Sequence, residues 1–140
     1  MLQGRRILLA DDDEQVQRAV MRTAAKSGYD IILVANGGDV VRRAVETAPE
    51  LIVLDISFPD ADGRDILTTL KADPRTAEIA VLVWSGAARD PESDRKIALS
   101  LGAEDYVEKT DAGSLLRKIE RVLLRLDSER GARPRQSGFR

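Results

Sequence analysis

Acidic residues directly follow two short apolar runs of the sequence. Residues 11–13 are consecutive aspartates after the run at residues 7–10, and Asp55 follows the run at residues 51–54. Carboxylate oxygens suit a hard divalent cation, and Mg²⁺ takes one or two carboxylates together with water and phosphate oxygens. Carboxylates that lie close together repel one another unless a cation is present. The acids therefore favour a Mg²⁺ site next to a carboxylate nucleophile.

A hydroxyl and an ammonium group follow two further apolar runs. Ser85 comes directly after the run that ends at Trp84, and Lys109 closely follows the short run at residues 106–107. Lysine, hydroxyl and backbone amide donors stabilise the equatorial oxygens of a phosphoryl group. With a metal on one side of Asp55 and Lys109 on the other, the pattern predicts phosphoryl transfer to Asp55.

The 140 residues include no histidine and no cysteine. Without histidine the chain cannot form a Ser-His-Asp triad, an imidazole general base or a His-ligated zinc site. Without cysteine it has no disulfide framework, which fits a reducing compartment, and we expect a cytoplasmic protein. The formal net charge of -2 gives no bulk support for binding to nucleic acid or to a membrane surface. No apolar run approaches the roughly 20 residues that span a bilayer.

Five apolar runs alternate with five stretches of helical periodicity. The predicted strands cover residues 7–10, 31–34, 51–54, 79–84 and 106–107. The predicted helices cover residues 16–24 with Gly28 as a cap, then 40–48, 65–72, 91–102 and 115–126. Because parallel neighbouring strands need crossover connections, this alternation predicts an α/β fold with helices on both faces of a parallel sheet.

The position of the polar residues depends on the strand order. Doubly wound sheets bind ligands outside the carboxyl ends of their strands, at the point where the order reverses. If the order is 2-1-3-4-5, the first and third strands are neighbours at that point. Asp11, Asp12 and Asp55 then converge at one edge of the sheet.

The periodic pattern stops at Asp127. Beyond it, arginine mixes with glycine, proline and serine, a composition that does not support a packed core. We therefore predict one domain over residues 1–126 and a disordered tail over residues 127–140.

Four segments of the sequence resemble the response-regulator receiver family, over about residues 5–126. The segments are ILLADDDE at residues 7–14, DISFPDADG at residues 55–63, SG at residues 85–86 and GAEDYVEK at residues 102–109. No single segment is decisive, but their order and spacing together are highly specific. The resemblance implies a flavodoxin-like, doubly wound five-stranded parallel sheet with five helices and the order 2-1-3-4-5.

The resemblance also implies a phosphoacceptor and a metal site. Asp55 takes a phosphoryl group from a phosphohistidine of a sensor histidine kinase or a histidine phosphotransfer protein. Mg²⁺ is held directly by Asp12, mainly through water by Asp11, and by Asp55 together with the backbone carbonyl of Ser57. Attack of water on the phosphoryl group reverses the modification. The protein is then a signalling switch in two-component signal transduction rather than an enzyme.

The resemblance further implies how the switch transmits its state. Ser85 binds the phosphoryl group through its hydroxyl and turns inward on activation, and Lys109 pairs with the phosphate. Tyr106 is similar to the family's switch aromatic, whose burial changes as Ser85 moves. This change acts on the face formed by the fourth helix, fifth strand and fifth helix, which engages a downstream protein. We expect a monomer or weak homodimer with no direct binding to nucleic acid or membranes.

Three positions depart from the family pattern. Thr110 follows Lys109 where the family usually has proline, often after a cis bond. A cis bond before threonine costs roughly 2.5–4 kcal/mol, which leaves the geometry of this loop open. Phe58 replaces a common methionine, and we interpret it as a packing residue. Trp84 is large for the residue before Ser85, and we expect it to narrow or cover the site.

Structural interpretations of the same residues stay open one by one. The aspartates at residues 11–13 suit helix N-caps, and we expect Asp13 to be one. Asp55 is also typical of a turn, Lys109 of a surface and Tyr106 of a strand core. These interpretations would have to hold independently at four strand ends, so together they are the weaker explanation.

Two other functions also remain as alternatives. A degenerate receiver that acts only as a protein-interaction module is suggested by Thr110 and Trp84. A small aspartate-dependent phosphatase is the enzyme alternative. The DADG motif at residues 60–63 resembles the aspartate motif of haloacid-dehalogenase-type phosphatases, but that motif should follow a strand directly, and here residues 57–59 intervene.

Overall fold

The structure, a computed structural model, describes residues 4–86 and 90–132. Within these residues, five β-strands alternate with five α-helices. The strands are β1 (Arg6–Ala10), β2 (Asp30–Val34), β3 (Leu51–Asp55), β4 (Ala80–Ser85) and β5 (Asp105–Glu108). The helices are α1 (Glu14–Ala24), α2 (Val40–Thr47), α3 (Gly63–Ala72), α4 (Pro91–Ser100) and α5 (Ala112–Ala132), and a 3₁₀ turn at Gly37–Asp39 leads into α2.

The five strands form one parallel sheet in the order β2-β1-β3-β4-β5. The predicted fold class and strand order are confirmed. Every residue of β3 and β4 is buried, as expected for inner strands of a sheet that helices cover on both faces. Since the strand order reverses between β1 and β3, their carboxyl ends lie side by side at the point where such sheets bind ligands.

Hydrophobic side chains fill one layer on each face of the sheet. The first layer lies between the sheet and helices α2, α3 and α4, and contains Leu8 and Leu67. The second layer lies between the sheet and helices α1 and α5, and contains Leu9 and Ile119. Leu8 and Leu9 point to opposite layers because side chains alternate along a strand. Phe58 belongs to the first layer, which confirms its interpretation as a packing residue.

Residues typical of helix starts lie at the beginnings of α1 and α4, and the predicted cap at Asp13 is confirmed. The Asp13 carboxylate accepts a hydrogen bond from the backbone N–H of Gln15 at 2.8 Å and so caps α1. Pro91 occupies the first turn of α4, where its missing N–H has no helical partner to lose. The first helix ends at Ala24, earlier than a cap at Gly28 predicts. Gly28 instead lies in the following turn with φ of 81°, a conformation that glycine tolerates.

Helix α5 continues beyond the predicted boundary at residue 126. It reaches Ala132, so the prediction of disorder is wrong for residues 127–132. Asp127 accepts a hydrogen bond from the guanidinium of Arg5 at 2.8 Å, and Arg130 lies 3.6 Å from Asp127. These polar contacts hold a stretch that has too few apolar residues to pack by itself. For residues 133–140, which lie outside the described residues, disorder stays a prediction.

Candidate functional site

Three carboxylates meet at the carboxyl edge of the sheet. Asp11 and Asp12 follow β1, and Asp55 ends the neighbouring strand β3. Each offers an oxygen that lies within 4.8 Å of the other two. Asp11 is 0% exposed and Asp55 is 4% exposed, whereas Asp12 is exposed. The parallel pairing of β1 with β3 therefore brings together the acids that the sequence predicts as metal ligands.

Lys109 supplies a positive charge beside these acids. Its Nζ lies 2.8 Å from Asp11 Oδ2 and 3.3 Å from Asp55 Oδ2. Its backbone N–H donates to the Ser85 carbonyl at 2.8 Å, which fixes the start of the loop after β5 against the end of β4. Burial lowers the pKa of Lys109, but its bonds to Asp11 and Asp55 outweigh burial and raise the pKa overall. Lys109 therefore stays an ammonium group at neutral pH.

The Asp55 carboxylate is held in place, but burial disfavours its charged form. Its Oδ1 accepts a hydrogen bond from the backbone N–H of Ser57 at 3.0 Å. Burial raises the pKa of Asp55, and the charge of Asp11 adds to this effect. The Ser57 N–H and the charge of Lys109 lower the pKa, but they do not compensate fully. The carboxylate is thus an oriented group that further positive charge would stabilise.

A polar contact anchors the loop between β3 and α3. The Asp60 carboxylate accepts hydrogen bonds from the backbone N–H groups of Gly37 and Gly38, at 2.9 and 3.0 Å. It thereby joins the loop that carries Ser57 to the turn before α2. The sequence pattern indicates Asp60 only as part of the DADG motif, and this role was not predicted. The two consecutive glycines after β2 were the available signal, because successive backbone N–H groups can donate hydrogen bonds to an anionic group.

The same loop closes tightly at the start of α3. The Asp62 carboxylate accepts a hydrogen bond from the Arg64 N–H at 2.9 Å and caps the helix. The N–H of Gly63 donates to the Ile56 carbonyl at 3.1 Å. A Cβ at Gly63 would lie 2.5 Å from the Ile56 Cα, so only glycine fits this approach. The DADG segment is therefore a structural closure of the loop that presents Asp55.

Ser85 and Tyr106 make no hydrogen bond to Asp11, Asp12 or Asp55. Ser85 is buried at the end of β4, and its hydroxyl makes no hydrogen bond to Asp55 or Lys109. Tyr106 on β5 is 7% exposed and packs in the layer beneath α3 and α4. Burial raises the pKa of the Tyr106 hydroxyl, and the neighbouring Ser85 side chain partly offsets this effect. Their predicted roles in switching stay predictions.

The structure shows the surroundings of two of the positions that depart from the family pattern, Thr110 and Trp84. Every peptide bond in residues 4–86 and 90–132 is trans, so Thr110 leaves the loop in the ordinary geometry, and Lys109 still reaches the acids. Trp84 does not cover the site as expected, since its side chain packs with α1 and α5 in the second hydrophobic layer. Because side chains alternate along β4, the Trp84 ring points into this layer and is buried there, rather than lying over the acids.

A shallow depression of about 340 Å³ lies over the acids. Its lining consists of Asp11, Asp12, Asp13, Asp55, Ser57, Gly86 and Lys109. Among these described residues, the depression holds more negative than positive charge, and its possible metal ligands are oxygen atoms, the donor type that a hard divalent cation prefers. With a cation bound, the same surface can receive the oxygens of a phosphoryl group next to Asp55.

Comparisons with known proteins agree with this arrangement. A family model described as the response regulator receiver domain matches residues 7–120. Transcriptional regulatory protein PrrA of Mycobacterium leprae is 36% identical over 104 residues, which cover 74% of this chain and 43% of PrrA. The alkaline phosphatase synthesis transcriptional regulatory protein PhoP of Bacillus subtilis is 33% identical over 106 residues, covering 76% of this chain and 42% of PhoP. The chain therefore matches less than half the length of these relatives.

Solved structures show the same fold. A response regulator from Desulfuromonas acetoxidans superimposes with a TM-score of 0.77 at 33% identity, and covers 87% of this chain and 98% of its own. A CheY-like receiver domain protein from Methanospirillum hungatei has a TM-score of 0.80 at 24% identity, covering 90% of this chain and 98% of its own. None of the helices within residues 4–86 and 90–132 combines the length and apolarity required to cross a membrane.

Proposed function

Because this chain belongs to the response regulator receiver domain family, we propose that Asp55 accepts a phosphoryl group from a phosphohistidine of a partner protein. The donor is a sensor histidine kinase or a histidine phosphotransfer protein, in the cytoplasm. One observation carries the proposal: the buried Asp55 carboxylate lies 3.3 Å from the Lys109 ammonium and beside two further acids. A nucleophile, a cation and a metal-ligand set thus occupy one edge of the sheet.

The transfer step balances with the groups at this edge. A carboxylate oxygen of Asp55 forms a bond to phosphorus, and the P–N bond to the donor histidine breaks. The imidazole nitrogen keeps the bonding electron pair, and Asp55 becomes an acyl phosphate. Lys109 pairs with the negative charge of the transferred phosphoryl group, since ammonium donors bind phosphoryl oxygens strongly. Attack of water on phosphorus later releases inorganic phosphate and restores the carboxylate.

The acids fit a Mg²⁺ ion. Asp12 takes part in no hydrogen bond or ion pair among the described residues, so it is free to bind the ion directly. Asp11 is buried and would act mainly through water, while Asp55 and the backbone carbonyl of Ser57 complete the protein ligands. When bound, Mg²⁺ would offset the repulsion between these acids and the phosphoryl oxygens.

We assign the binding of a downstream protein to the face formed by α4, β5 and α5. Tyr106 borders a cavity of about 290 Å³ between the β3–α3 loop and α4. This cavity leaves space beside the buried Tyr106 ring for a second rotamer. When Ser85 turns toward the phosphoryl group, Tyr106 changes position and alters the surface that a downstream protein binds.

The test is phosphorylation by acetyl phosphate with Mg²⁺, followed by intact mass spectrometry. We expect wild-type protein to gain one phosphoryl group and Asp55→Asn to gain none. The matched control is Asp65→Asn, which removes an exposed carboxylate on α3 and should be phosphorylated like wild type. Peptide mapping of the modified protein should place the group on Asp55.

Three results would contradict the proposal. Equal uptake by wild type and Asp55→Asn would show a different acceptor. Sustained turnover of phosphomonoesters would favour the aspartate-dependent phosphatase. No uptake by wild type from acetyl phosphate, or from a phosphorylated histidine phosphotransfer protein, would favour a module that only binds proteins.

A further inference from the structure

Trp84 contacts the acids from beneath the site. Its side chain is 3% exposed, and its indole N–H donates to Asp11 Oδ2 with an Nε1–Oδ2 distance of 3.1 Å. Strand β3 lies between β4 and β1, so the side chain of Trp84 must reach beneath one strand to meet Asp11. Smaller residues at this position cannot make that contact.

The Asp11 carboxylate depends on a small set of donors. Its Oδ1 accepts the backbone N–H of Asp13 at 2.9 Å. Among the described residues, its Oδ2 accepts hydrogen bonds from two donors, the Trp84 indole N–H and the Lys109 ammonium at 2.8 Å. Because Asp11 is 0% exposed, each lost donor leaves a buried charged oxygen without compensation from water.

Lys109 is the donor that must move. It is shared between Asp11 and Asp55, and the proposed function requires it to pair with the phosphoryl group on Asp55. Its Nζ lies 5.8 Å from the centre of the Trp84 ring, so the ring also borders the ammonium group. When Lys109 leaves Asp11, the indole N–H is the donor that stays on Oδ2.

We propose that Trp84 is a positioning residue, whose indole N–H keeps the buried Asp11 carboxylate bonded while Lys109 turns to the phosphoryl group. This inference rests on the proposed phosphorylation of Asp55. Without the indole N–H, Lys109 becomes the remaining donor to Asp11 Oδ2 within the described residues. The ammonium then leaves Asp11 less readily, and phosphorylation slows.

The chain contains one tryptophan, so biosynthetic replacement of tryptophan changes Trp84 alone. A benzothienyl-alanine residue has nearly the same shape but carries sulfur in place of the N–H. We expect its phosphorylation by acetyl phosphate to be about tenfold slower, which corresponds to about 1.4 kcal/mol. The matched control is 5-fluorotryptophan, which keeps the N–H and should react within about twofold of wild type. W84F should slow the reaction at least as much as the benzothienyl analogue.

A binding measurement separates positioning from a general loosening of the site. Trp84 donates to Asp11, which holds Mg²⁺ mainly through water in the proposed site, and makes no hydrogen bond to the direct ligands Asp12 and Asp55 among the described residues. The Mg²⁺ dissociation constant of the benzothienyl protein should therefore change by a smaller factor than its phosphorylation rate. Calorimetric titration with Mg²⁺ measures it. An unchanged phosphorylation rate would overturn the inference, as would a loss of Mg²⁺ affinity equal to the loss in rate.

The indole N–H can also be observed directly. Its single cross-peak in a ¹H–¹⁵N spectrum should remain protected from exchange with solvent, both with Mg²⁺ alone and after addition of beryllofluoride as a phosphoryl mimic. Rapid exchange in the beryllofluoride state would overturn the inference. If wild type itself takes up no phosphoryl group while the indole stays protected, the proposed function fails and the inference fails with it. Phosphorylated wild type with an unaffected analogue refutes the inference alone.

Discussion

Two buried aspartates at opposite edges of the sheet have opposite electrostatic surroundings. Within the described residues, Asp55, at the carboxyl end of β3, shares the ammonium of Lys109 with Asp11, and Asp12 lies beside them. Asp105, at the amino end of β5, has two cations for one carboxylate. Burial raises the pKa of Asp55, and the nearby donors do not reverse the shift.

Asp105 is held between two helices. Arg95 of α4 lies 2.7 Å from its Oδ1, and Lys118 of α5 lies 2.5 Å from its Oδ2. The backbone N–H of Tyr106 donates to Oδ1 at 2.8 Å. Burial alone would raise the pKa of Asp105, but these donors and charges outweigh burial and lower it.

The difference shows how to distinguish a site from a structural contact. At Asp105 the charges are satisfied by the chain itself, and the result is a bridge that joins α4, β5 and α5. At Asp55 the acids exceed the cations among the described residues, and added positive charge would balance them. Such unbalanced clusters are where ligand chemistry takes place, at a cost to stability.

The largest expected effect comes from removing the cation of the unbalanced cluster. Lys109→Gln keeps a hydrogen-bond donor but removes the charge beside Asp55. We expect the rate of phosphorylation by acetyl phosphate to fall about 100-fold, the usual cost of losing a group that stabilises developing charge. Intact mass recorded over time measures the rate.

The matched control is Lys118→Gln, which removes a cation from Asp105 instead. Because this change is remote from Asp55, the phosphorylation rate should stay within about twofold of wild type. Equal losses of rate in the two variants would remove the distinction between the two clusters.

The next largest expected effect is on stability, at Asp105 and its two cations Arg95 and Lys118. Asp105→Asn should lower the free energy of unfolding by about 1–2 kcal/mol, because two cations lose their charged partner. The expected loss of stability is moderate because the side chains of Arg95 and Lys118 are 49% and 27% exposed, and solvent screens ion pairs at such positions. Urea denaturation at neutral pH measures the change.

The pH dependence of this stability difference tests whether the effect comes from the ionised Asp105 carboxylate. The folded-state pKa of Asp105 lies below its ordinary value of 3.8, so its contribution is fully present above that value. The contribution is lost as the pH falls through the lowered folded-state pKa, because the unfolded chain binds the proton more tightly. The difference in stability between wild type and Asp105→Asn should therefore shrink in acid. A difference that stays constant would contradict the ionic origin of the effect.

Most of the fold could be predicted from the sequence because its signals are local. The apolar runs and the helical periodicity identified five strands and five helices, and the aspartate at residue 13 and the proline at residue 91 marked helix starts. The extent of α5 could not be predicted, since Asp127 is held by Arg5, which lies at the other end of the chain. A contact between residues that far apart leaves no periodic pattern.

The residues that form the site could be predicted from the sequence, but the hydrogen bonds among them could not. Strand ends and strand order bring Asp11, Asp55 and Lys109 together, and both can be inferred from the sequence. Which donors each carboxylate oxygen accepts depends on side-chain direction across several strands. The contact of Trp84 with Asp11 was missed for this reason, although a buried indole N–H generally requires an acceptor.

The smallest expected effect has the opposite sign to that of Asp105→Asn. Asp55→Asn removes a carboxylate whose burial raises its pKa, and Lys109 keeps its 2.8 Å contact with Asp11. Without Mg²⁺, we expect this variant to be more stable than wild type by about 0.5–1 kcal/mol. Saturating Mg²⁺ should stabilise wild type more than the variant, because the variant has lost a ligand. If urea denaturation without Mg²⁺ instead shows Asp55→Asn to be less stable, the contact between Asp55 and Lys109 outweighs the burial of the carboxylate, and the two aspartates are alike.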